Sequence, residues 1–538
     1  MFRRLAVGFR IPRPSASVQC LRGRLLSTRS IPLSSASQRW QNLLLGTFIG
    51  TGLGVTASWL AYGSGFLTTS VSDYGSQYGS TDDFRKALEE LQHALPPASV
   101  STLPADLTAM GSVAPKTTSS HGVVVRPTST NEVQHVVLVA KKYRIPVVVH
   151  GSGTSLEGQA NPLPGVHGIC VDLSAMDRIL EVNEADCDLV CQPGTSWNDI
   201  NVHLSGAGIP LFFPLDPGPG ASVGGMISTG CSGTNAVRYG TARAEWILNM
   251  TVVLPSGKII KTRSRARKSS AGFDLTKLFI GAEGTLGIIT EVTLRLAPVV
   301  PTTVATVQFR NVADAVSTVL KLLNLGVPLQ CAELLDSVTM RSINLAGGAA
   351  RKYDDADALF LKIQNPTRAI LDTVKATCEA HYGTRFELAT SPEDADVLWA
   401  DRKNAYFSNY ALMPGARGMA TDICVPVSRL PQFILETKAD LDAHGIIGPI
   451  VGHVGDGNFH SLLLHRTPEE EAKAQAAQDR MVKRAIALGG TCTGEHGIGV
   501  TKKKYLKEEL GEDTVELMHT LKRAVDPHNL FNPGKLYP

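Results

Sequence analysis

Ile145-Pro-Val-Val-Val-His150 and the loop Gly151-Ser-Gly-Thr-Ser-Leu-Glu-Gly158 that follows it form the stretch that decides the fold of this chain. The β-branched run predicts a buried strand, and the capping-box order from Ser129 to Glu132 predicts a helix before it, ending at Arg144. The glycine-rich loop can present several backbone N–H groups in one concavity, as a pyrophosphate requires. The stretch therefore predicts a phosphate-binding loop directly after a buried strand.

Two common nucleotide-binding loops are excluded by the spacing of these glycines. Their order is G-x-G-x-x-x-x-G, whereas a Rossmann dinucleotide site needs G-x-G-x-x-G at the start of a helix. The next residues, Gln159-Ala-Asn-Pro-Leu-Pro, contain two prolines and cannot open a helix. A Walker pattern, G-x-x-x-x-G-K followed by Ser or Thr, is absent from the sequence.

Three further glycine-dense loops follow along the chain. They are Pro214–Gly225, Gly230–Asn235 and Gly281–Gly287, and each lies near a strand-like run such as Asn249–Leu254 or Ile288–Leu296. A single glycine loop is weak evidence of a site. Four such loops predict a backbone that wraps closely around an extended ligand.

Two histidines bracket a tight-turn signal in Gly452-His-Val-Gly-Asp-Gly-Asn-Phe-His460. Asp456-Gly457 predicts a two-residue hairpin, since glycine takes the positive φ that such a turn needs. Pairing outward from the turn sets His453 directly opposite His460, with Cβ atoms about 4.5–5.5 Å apart. Both imidazoles can then bind one divalent ion.

A third ligand is available downstream. Gly494-Glu-His-Gly-Ile-Gly499 offers a carboxylate and another imidazole between glycines that permit close approach. Imidazole with carboxylate suits zinc, manganese or iron. The alternative interpretation is a turn with two structural histidines.

Composition bounds the class of protein. The 538 residues suffice for two or three globular domains, and the nine cysteines form no C-x-x-C pair, so neither an iron–sulfur cluster nor a thiolate zinc site is indicated. Residues 1–72 hold eight arginines and no acidic residue. When these eight arginines are left out, the rest of the chain has 44 basic and 49 acidic residues. The mildly acidic body argues against nucleic acid as a partner.

The amino-terminal region predicts a mitochondrial address. Residues 1–39 are rich in Arg and Ser and lack acids, which is typical of a transit peptide, although a disordered basic tail has the same composition. Residues 43–62 carry no charge and have a Trp near each end, Trp40 and Trp59, which predicts a transmembrane helix in the mitochondrial inner membrane. Gly, Thr and Ser dilute that segment, so a cleaved sorting signal is the alternative.

The remaining boundaries follow from composition and periodicity. A linker and one helix, opened by Thr81 and stopped by Pro96-Pro97, occupy residues 63–114, and the first folded domain spans 115–300. Residues 301–448 mix amphipathic helices such as Val312–Leu325 with strand-like runs such as Ala358–Ile363 and Thr421–Val427, which predicts a separate α+β cap. Residues 449–538 carry the two histidine motifs.

The chain resembles the FAD-linked oxidases of the vanillyl-alcohol oxidase type and, within them, the mitochondrial D-lactate dehydrogenases. The resemblance covers residues 115–538 and is most specific at Val149–Gly158, at Gly281–Gly287 with Ile288-Ile-Thr-Glu291, and at the two histidine motifs. It implies an α+β fold in which a two-part FAD-binding domain is joined to the α+β cap. Phe531-Asn-Pro-Gly-Lys535 is similar to the segment that closes this fold.

The resemblance also implies the cofactor-binding residues. Loops matching Gly151–Gly158, Ser222–Ser228 and Gly284–Ile289 hold the FAD. The implied residues are Gly151, Ser152, Gly153, Thr154, Ser155, Gly158, Ser222, Gly224, Gly225, Ser228, Glu283, Gly284, Gly287, Ile289 and Asn532.

Catalytic roles are implied in the same way. His453, His460 and Glu495 match the ligands of a divalent metal, for which zinc or manganese is expected, and His496 matches the catalytic base. Arg402, in Trp399-Ala-Asp-Arg402, matches the arginine that binds the substrate carboxylate. A planar guanidinium makes a two-point contact with a carboxylate and so orients a 2-hydroxy acid.

The substrate is expected to be D-lactate, with cytochrome c as electron acceptor. Met413–Gly418, running into Asp422–Pro431, is closest to the lactate branch of the family. Glycolate and D-2-hydroxyglutarate remain alternatives, and Arg417 or Lys403 would supply the second cation that a distal carboxylate needs. A zinc hydrolase and a flavin-free membrane-bound binding protein remain alternatives of other classes.

Overall fold

A computed structural model describes residues 77–111, 117, 119–349 and 351–538. The predicted transit peptide and the predicted span 43–62 lie outside these residues. Among the helices that the model does describe, none combines the length and the apolar composition of a bilayer span.

The first sheet carries the loop that follows His150. Its strands lie in the order Val100–Ser101, Val123–Val125, Ile169–Asp172 and Val147–His150. The last three run parallel, and they are made almost entirely of buried β-branched residues, as parallel strands covered on both faces require. The glycine loop 151–158 therefore leaves the sheet at the carboxyl end of a buried strand, as predicted.

The helix before this strand is also confirmed, with one difference at its cap. It spans Thr130–Tyr143, and the Ser129 side chain accepts the N–H of Glu132. The Glu132 carboxylate accepts the N–H of Thr128 at 2.7 Å instead of completing the reciprocal bond to Ser129. The predicted helix near the start of the folded part spans Thr81–Ala94.

A second, five-stranded sheet completes the first domain. Its strands are antiparallel and lie in the order Ile179–Asn183, Asp188–Cys191, Ile288–Arg295, Ile247–Val253 and Ile259–Lys261. A short pair joins Leu211–Phe212 to Ala297–Pro298. The glycine loop 281–287 runs directly into the central strand Ile288–Arg295, so its backbone is anchored by the core of the sheet.

The carboxyl-terminal segment returns to the first sheet. The N–H of Val147 donates to the carbonyl of Leu530, and the N–H of Asn532 donates to the carbonyl of Val147, both at 2.7 Å. Phe531 is buried against the same core. The closing segment 531–535 therefore covers the edge strand that leads into the loop 151–158.

The cap is built on an eight-stranded antiparallel sheet. Seven strands lie in the order Thr384–Leu388, Thr302–Phe309, Asp357–Gln364, Leu329–Leu335, Ile450–His453, Asn458–His465 and Arg417–Ala420, and Ile423–Cys424 also pairs with Asn458–His465. The predicted strand Thr421–Val427 is thus shortened to two residues. The boundary predicted at residue 448 falls inside this sheet, because the strands that carry His453 and His460 are part of it.

The remaining helices are distributed between the first domain, the cap and the segment that follows the cap. In the first domain the others are Pro104–Gly111, Trp197–Gly206, Val223–Thr229, Ala236–Tyr239 and Leu275–Phe279. In the cap they are Val312–Asn324, Ser337–Ala346, Arg368–Ala380, Pro392–Ser408 and Leu430–Ala443, and the chain ends with Pro468–Ala487, Leu506–Leu510 and Glu512–Val525.

The register of the histidine hairpin differs from the prediction. His453 pairs with Asn458, and Val451 pairs with His460, so residues 454–457 connect the strands and the predicted two-residue turn is wrong. The carbonyl of Gly457 accepts the N–H of Val425 at 3.0 Å, so the turn bonds to a neighbouring segment. Because the register moves by two residues, the side-chain period of two keeps both histidines on one face.

Candidate active site

A cavity of about 630 Å³ lies between the glycine loops of the first domain and the cap. Its volume is within the range of about 300–1,000 Å³ that small-molecule and cofactor sites occupy. Every predicted site residue lines this cavity except Gly158. The cap contributes Arg402, His453 and His460 to the same wall, and the segment after it contributes Glu495 and His496.

The loops that were predicted to hold FAD approach one another closely. Ser152 Oγ accepts the N–H of Ser222 at 3.0 Å. A Cβ added at Gly151 would lie 2.5 Å from Ser222 Oγ, so this contact requires glycine. Ser222 Oγ is buried and has no hydrogen-bond partner among the described residues. A lining of glycine backbone and hydroxyl groups with one unpartnered buried oxygen fits a bound nucleotide cofactor.

His150 is turned away from this cavity. Its Nδ1 lies 2.8 Å from the carbonyl oxygen of Gly151, the side chain is buried, and it is not among the lining residues. The position of the ring does not favour covalent attachment of a flavin to this imidazole.

The three predicted metal ligands converge on one point. His453 Nε2 lies 3.6 Å from Glu495 Oε1, and His460 Nε2 lies 3.2 Å from the same oxygen. One ligand atom from each residue lies within 4.8 Å of the other two. His453 and His460 are not directly paired across the hairpin. Their side chains nevertheless approach each other, as the predicted pairing required.

The remaining polar atoms of the three residues are held by neighbours. His453 Nδ1 lies 2.9 Å from both carboxylate oxygens of Glu333, and His460 Nδ1 lies 3.0 Å from the carbonyl of Thr421. Ser232 Oγ donates to Glu495 Oε2 at 2.7 Å. Two Nε2 atoms and one carboxylate oxygen are thereby left facing each other, which is the donor set and outer support of a divalent metal site.

Electrostatics favour a cation at this point. Burial opposes ionisation of Glu495, but the hydrogen bonds from His453 and His460 hold its pKa well below the usual range. Burial raises the pKa of the nearby Asp216 to about 6. Burial lowers the pKa of His453, but the carboxylates of Glu333 and Glu495 raise it well above its ordinary value, so a proton or a divalent cation at this point offsets their charge.

The predicted substrate arginine lies at the cavity wall. Arg402 is buried on helix Pro392–Ser408, and its Nε donates to Glu333 Oε2 at 3.1 Å. Of the two candidates for a second cation, Lys403 lines the cavity. Arg417 is exposed, pairs with Glu471 at 2.8 Å and is not a lining residue.

The loop that carries Glu495 and His496 is fixed by Asp422. One carboxylate oxygen of Asp422 accepts the N–H of Glu495 at 3.0 Å and the N–H of His496 at 2.9 Å, and the Thr493 hydroxyl donates to it at 2.7 Å. Burial opposes ionisation, yet His496 and the buried Lys502 hold the pKa of Asp422 far below its usual value. Asp422 therefore remains a charged acceptor that shapes this turn.

Two glutamates of the first domain, Glu283 and Glu157, contact residues 498 and 499 of the same loop. Glu283 accepts the N–H groups of Ile498 and Gly499 at 2.6 and 2.9 Å. A Cβ at Gly499 would lie 1.9 Å from the carbonyl oxygen of Glu157, which explains the glycine. Glu283 and Glu157 belong to loops predicted to bind the cofactor, so the loop 494–499 is bonded directly to those loops.

His496 faces the cavity from this loop. Its ring stacks on His460 with centroids 5.1 Å apart, and its Nδ1 lies 3.7 Å from Glu157 Oε1. Burial lowers the pKa of His496, but the carboxylates of Asp422 and Glu157 raise it above its ordinary value. Such an imidazole is stabilised when it accepts a proton.

Four supporting residues were missed by the sequence reasoning, namely Glu333, Asp422, Glu157 and Ser232. One signal was available for Glu333, because it is the single acidic residue of the otherwise uncharged strand Leu329–Leu335. An acid at a fully buried strand position must have partners. The sequence does not say which partners, since they come from distant segments.

Solved structures establish the fold. The chain matches 4-ethylphenol oxidase from Gulosibacter chungangensis with a TM-score of 0.69 at 19% identity, over 85% of this chain and 97% of the other. It matches p-cresol methylhydroxylase with the same TM-score at 18% identity, again over 85% and 97%. The predicted α+β fold of the vanillyl-alcohol oxidase type is confirmed.

Curated relatives are more similar in sequence. The "D-lactate dehydrogenase (cytochrome), mitochondrial" of Arabidopsis thaliana is 42% identical over 77% of this chain and 73% of its own length. The "D-lactate dehydrogenase (cytochrome) 1, mitochondrial" of Saccharomyces cerevisiae is 43% identical over 77% and 72%. "Glycolate oxidase subunit GlcD" of Bacillus subtilis is 31% identical over 79% and 90%.

Family models cover both parts of the fold. Residues 122–263 match the FAD binding domain, and residues 301–536 match the carboxyl-terminal domain of FAD linked oxidases. The cavity between these two regions is thus placed where an FAD-dependent oxidase needs it, and the chain belongs to the family of FAD-linked oxidases.

Proposed function

We propose that this chain oxidises D-lactate to pyruvate with FAD and passes the electrons to cytochrome c. The observation that carries the proposal is the convergence of Arg402, His496 and the group His453, His460 and Glu495 on the cavity that the FAD loops line. Relatives that share more than 40% of their aligned residues with this chain carry the name D-lactate dehydrogenase (cytochrome).

Substrate binding is assigned to Arg402. Its guanidinium has five N–H donors, and Glu333 accepts from Nε and Nη2. Donors that remain free can bind the lactate carboxylate at two points. Such a contact fixes which face of C2 is turned to the flavin, so it selects one enantiomer.

His496 is assigned as the base. Oxidation of lactate to pyruvate removes the hydroxyl proton together with the C2 hydrogen and two electrons. His496 accepts the hydroxyl proton, and the nearby carboxylates Glu157 and Asp422 stabilise the imidazolium that forms.

The two cofactors are assigned to the residues that fit them. The glycine loops would hold FAD, which would supply hydride acceptance and single-electron transfer. His453, His460 and Glu495 would hold a divalent ion, which would supply acidification of a coordinated hydroxyl group. Zinc, manganese and iron all suit two imidazoles and one carboxylate.

A related activity is a second candidate. Lys403 lines the cavity next to Arg402 on the same helix and forms no ion pair with the described residues. Its ammonium group can bind the distal carboxylate of D-2-hydroxyglutarate, and glycolate needs no second cation. The match to the FAD binding domain argues against the zinc hydrolase and the flavin-free binding protein, because neither uses FAD.

The test is a substrate and acceptor screen on purified full-length protein. D-lactate, L-lactate, glycolate and D-2-hydroxyglutarate are each supplied with a dye acceptor, and the best substrate is then supplied with cytochrome c. D-lactate should give the highest kcat/KM and should reduce cytochrome c. Preference for another acid would transfer the proposal to that substrate, and no turnover with any of them would remove it.

We expect the FAD to be bound without a covalent link. The cofactor loop carries Thr154 and Ser155, and His150, which directly precedes the loop, is bonded to the Gly151 carbonyl and does not line the cavity. Precipitation with acid should therefore release all of the yellow colour into the supernatant. Colour that stays with the precipitated protein would contradict this expectation.

The mitochondrial inner membrane is the proposed location. Arg29 and Arg39 precede the segment 43–62, and the next basic residue is Arg85. The positive-inside rule then leaves the amino terminus in the matrix and the catalytic body in the intermembrane space, where cytochrome c is available. Protease added to mitochondria with ruptured outer and intact inner membranes should digest the body. Full protection, with the body extracted by carbonate, would place it in the matrix.

A further inference from the structure

Glu333 occupies an unusual place for an acidic side chain. It lies in the middle of strand Leu329–Leu335, in which all seven residues are buried, and it is directly cross-strand from His453. A buried carboxylate costs several kcal/mol unless it is paired and hydrogen-bonded. Its partners are therefore the reason that this acid can stand in an apolar strand.

One carboxylate serves two groups of the active site. Glu333 Oε2 accepts from Arg402 Nε at 3.1 Å and from Arg402 Nη2 at 2.5 Å. His453 Nδ1 lies 2.9 Å from both carboxylate oxygens. Glu333 is thus bonded at once to the proposed substrate arginine and to a proposed metal ligand.

We infer that Glu333 is a positioning residue that sets the tautomer of His453 and the orientation of Arg402. His453 Nδ1 lies 2.9 Å from both carboxylate oxygens of Glu333, which accept hydrogen bonds, so this nitrogen is the one that carries a proton. The lone pair of Nε2 then points toward Glu495, as a metal ligand requires. The inference rests on the proposed function, since it assigns a supporting role within the same site.

Glu333 also fixes the orientation of Arg402. Nε and Nη2 are held by Glu333, so the plane of the guanidinium is fixed and its remaining donors stay at the cavity wall. His460 has a different anchor, because its Nδ1 meets the backbone carbonyl of Thr421. Of the two histidines, His453 is the one whose Nδ1 is within hydrogen-bond distance of a side chain that can be substituted.

Glu333→Gln separates this role from that of a simple counter-ion. The amide oxygen of glutamine is expected to accept from the charged Arg402, since charge-assisted bonds are the stronger ones. The amide N–H group then faces His453 Nδ1, which must become an acceptor. The proton then favours Nε2, which weakens ligation of a metal by this imidazole although every proposed ligand is present.

The experiment compares FAD-loaded wild type and Glu333→Gln. We expect unchanged FAD content and circular dichroism, but a 10–100-fold weaker affinity for added Mn²⁺ or Zn²⁺ by chelator competition. Activity should recover in part at saturating metal. Wild-type metal affinity in a folded, FAD-loaded Glu333→Gln protein would overturn the inference.

Two further variants complete the test. Asp401→Asn removes a buried carboxylate from the residue next to Arg402, where it binds Tyr353, and it should leave metal affinity unchanged. If Glu333→Gln does not fold, Glu333→Asp keeps the charge but withdraws the carboxylate by one methylene, so it cannot hold both partners. Wild-type metal affinity together with wild-type KM for D-lactate in that variant would also overturn the inference. A wild-type protein that binds no metal refutes the proposed metal site instead.

Discussion

Replacement of His453 or His460 by alanine, or of Glu495 by glutamine, is expected to abolish oxidation of D-lactate while the flavin spectrum is kept. The three ligand atoms converge from the cap hairpin and the loop 494–499, whereas the FAD loops belong to the first domain. If these residues hold a metal as proposed, its loss should remove about 4 kcal/mol of transition-state stabilisation, on the order of a 10³-fold fall in kcat/KM.

The measurement pairs metal analysis with steady-state kinetics. Each variant should contain less than one tenth of the wild-type metal and a normal amount of FAD. His444→Ala is the matched control, because His444 is exposed and pairs with Asp440 away from the cavity. Near-normal activity in any of the three variants after metal depletion would show that the cluster is structural.

His496→Asn is expected to lower the rate of flavin reduction by 10²–10⁴-fold, the usual contribution of a positioned general base. Asparagine keeps a polar side chain of similar length in the loop that Asp422 shapes through the backbone N–H groups of residues 495 and 496. Those bonds do not involve the imidazole. The neighbouring Glu495 should therefore remain in place, and the metal should remain bound.

Anaerobic stopped-flow mixing with D-lactate measures this step directly. Slow flavin reduction with full metal and FAD content would support the role of His496. The profile against pH should also lose the ionisation that limits the wild-type rate at low pH, since no imidazole is left to be deprotonated. A reduction rate within threefold of wild type would exclude His496 as the base.

The two histidine motifs show how far local patterns reach. The separation of His453 and His460 along the chain, together with the alternation of side chains in a strand, predicted that both histidines lie on one face of the hairpin. The predicted register was off by two residues, because the connection bonds to Val425 and not across a two-residue turn. The ligand set survives this error, since a shift by two residues leaves each side chain on its original face.

The cap boundary shows the opposite case. The order of motifs along the chain set the predicted end of the cap at residue 448, whereas Ile450–His453 pairs with Leu329–Leu335 in the cap sheet. Strand pairing over such a separation depends on hydrogen bonds between segments. A pattern within one segment does not contain that information.

The sequence by itself determined the strand and glycine loop at residues 145–158, the exclusion of a Rossmann site and the residues that could bind a metal. Each of these rests on residue patterns within short segments, where backbone conformation follows from local residue types, and the family resemblance joined Glu495 to the two histidines. Only the tertiary structure decided which neighbours support the site. Glu333 lies 69 residues from Arg402 and 120 residues from His453, and Asp422 lies 74 residues from His496. Such partners meet because buried charges must be paired once the two domains close over a common cavity, and that requirement acts in three dimensions.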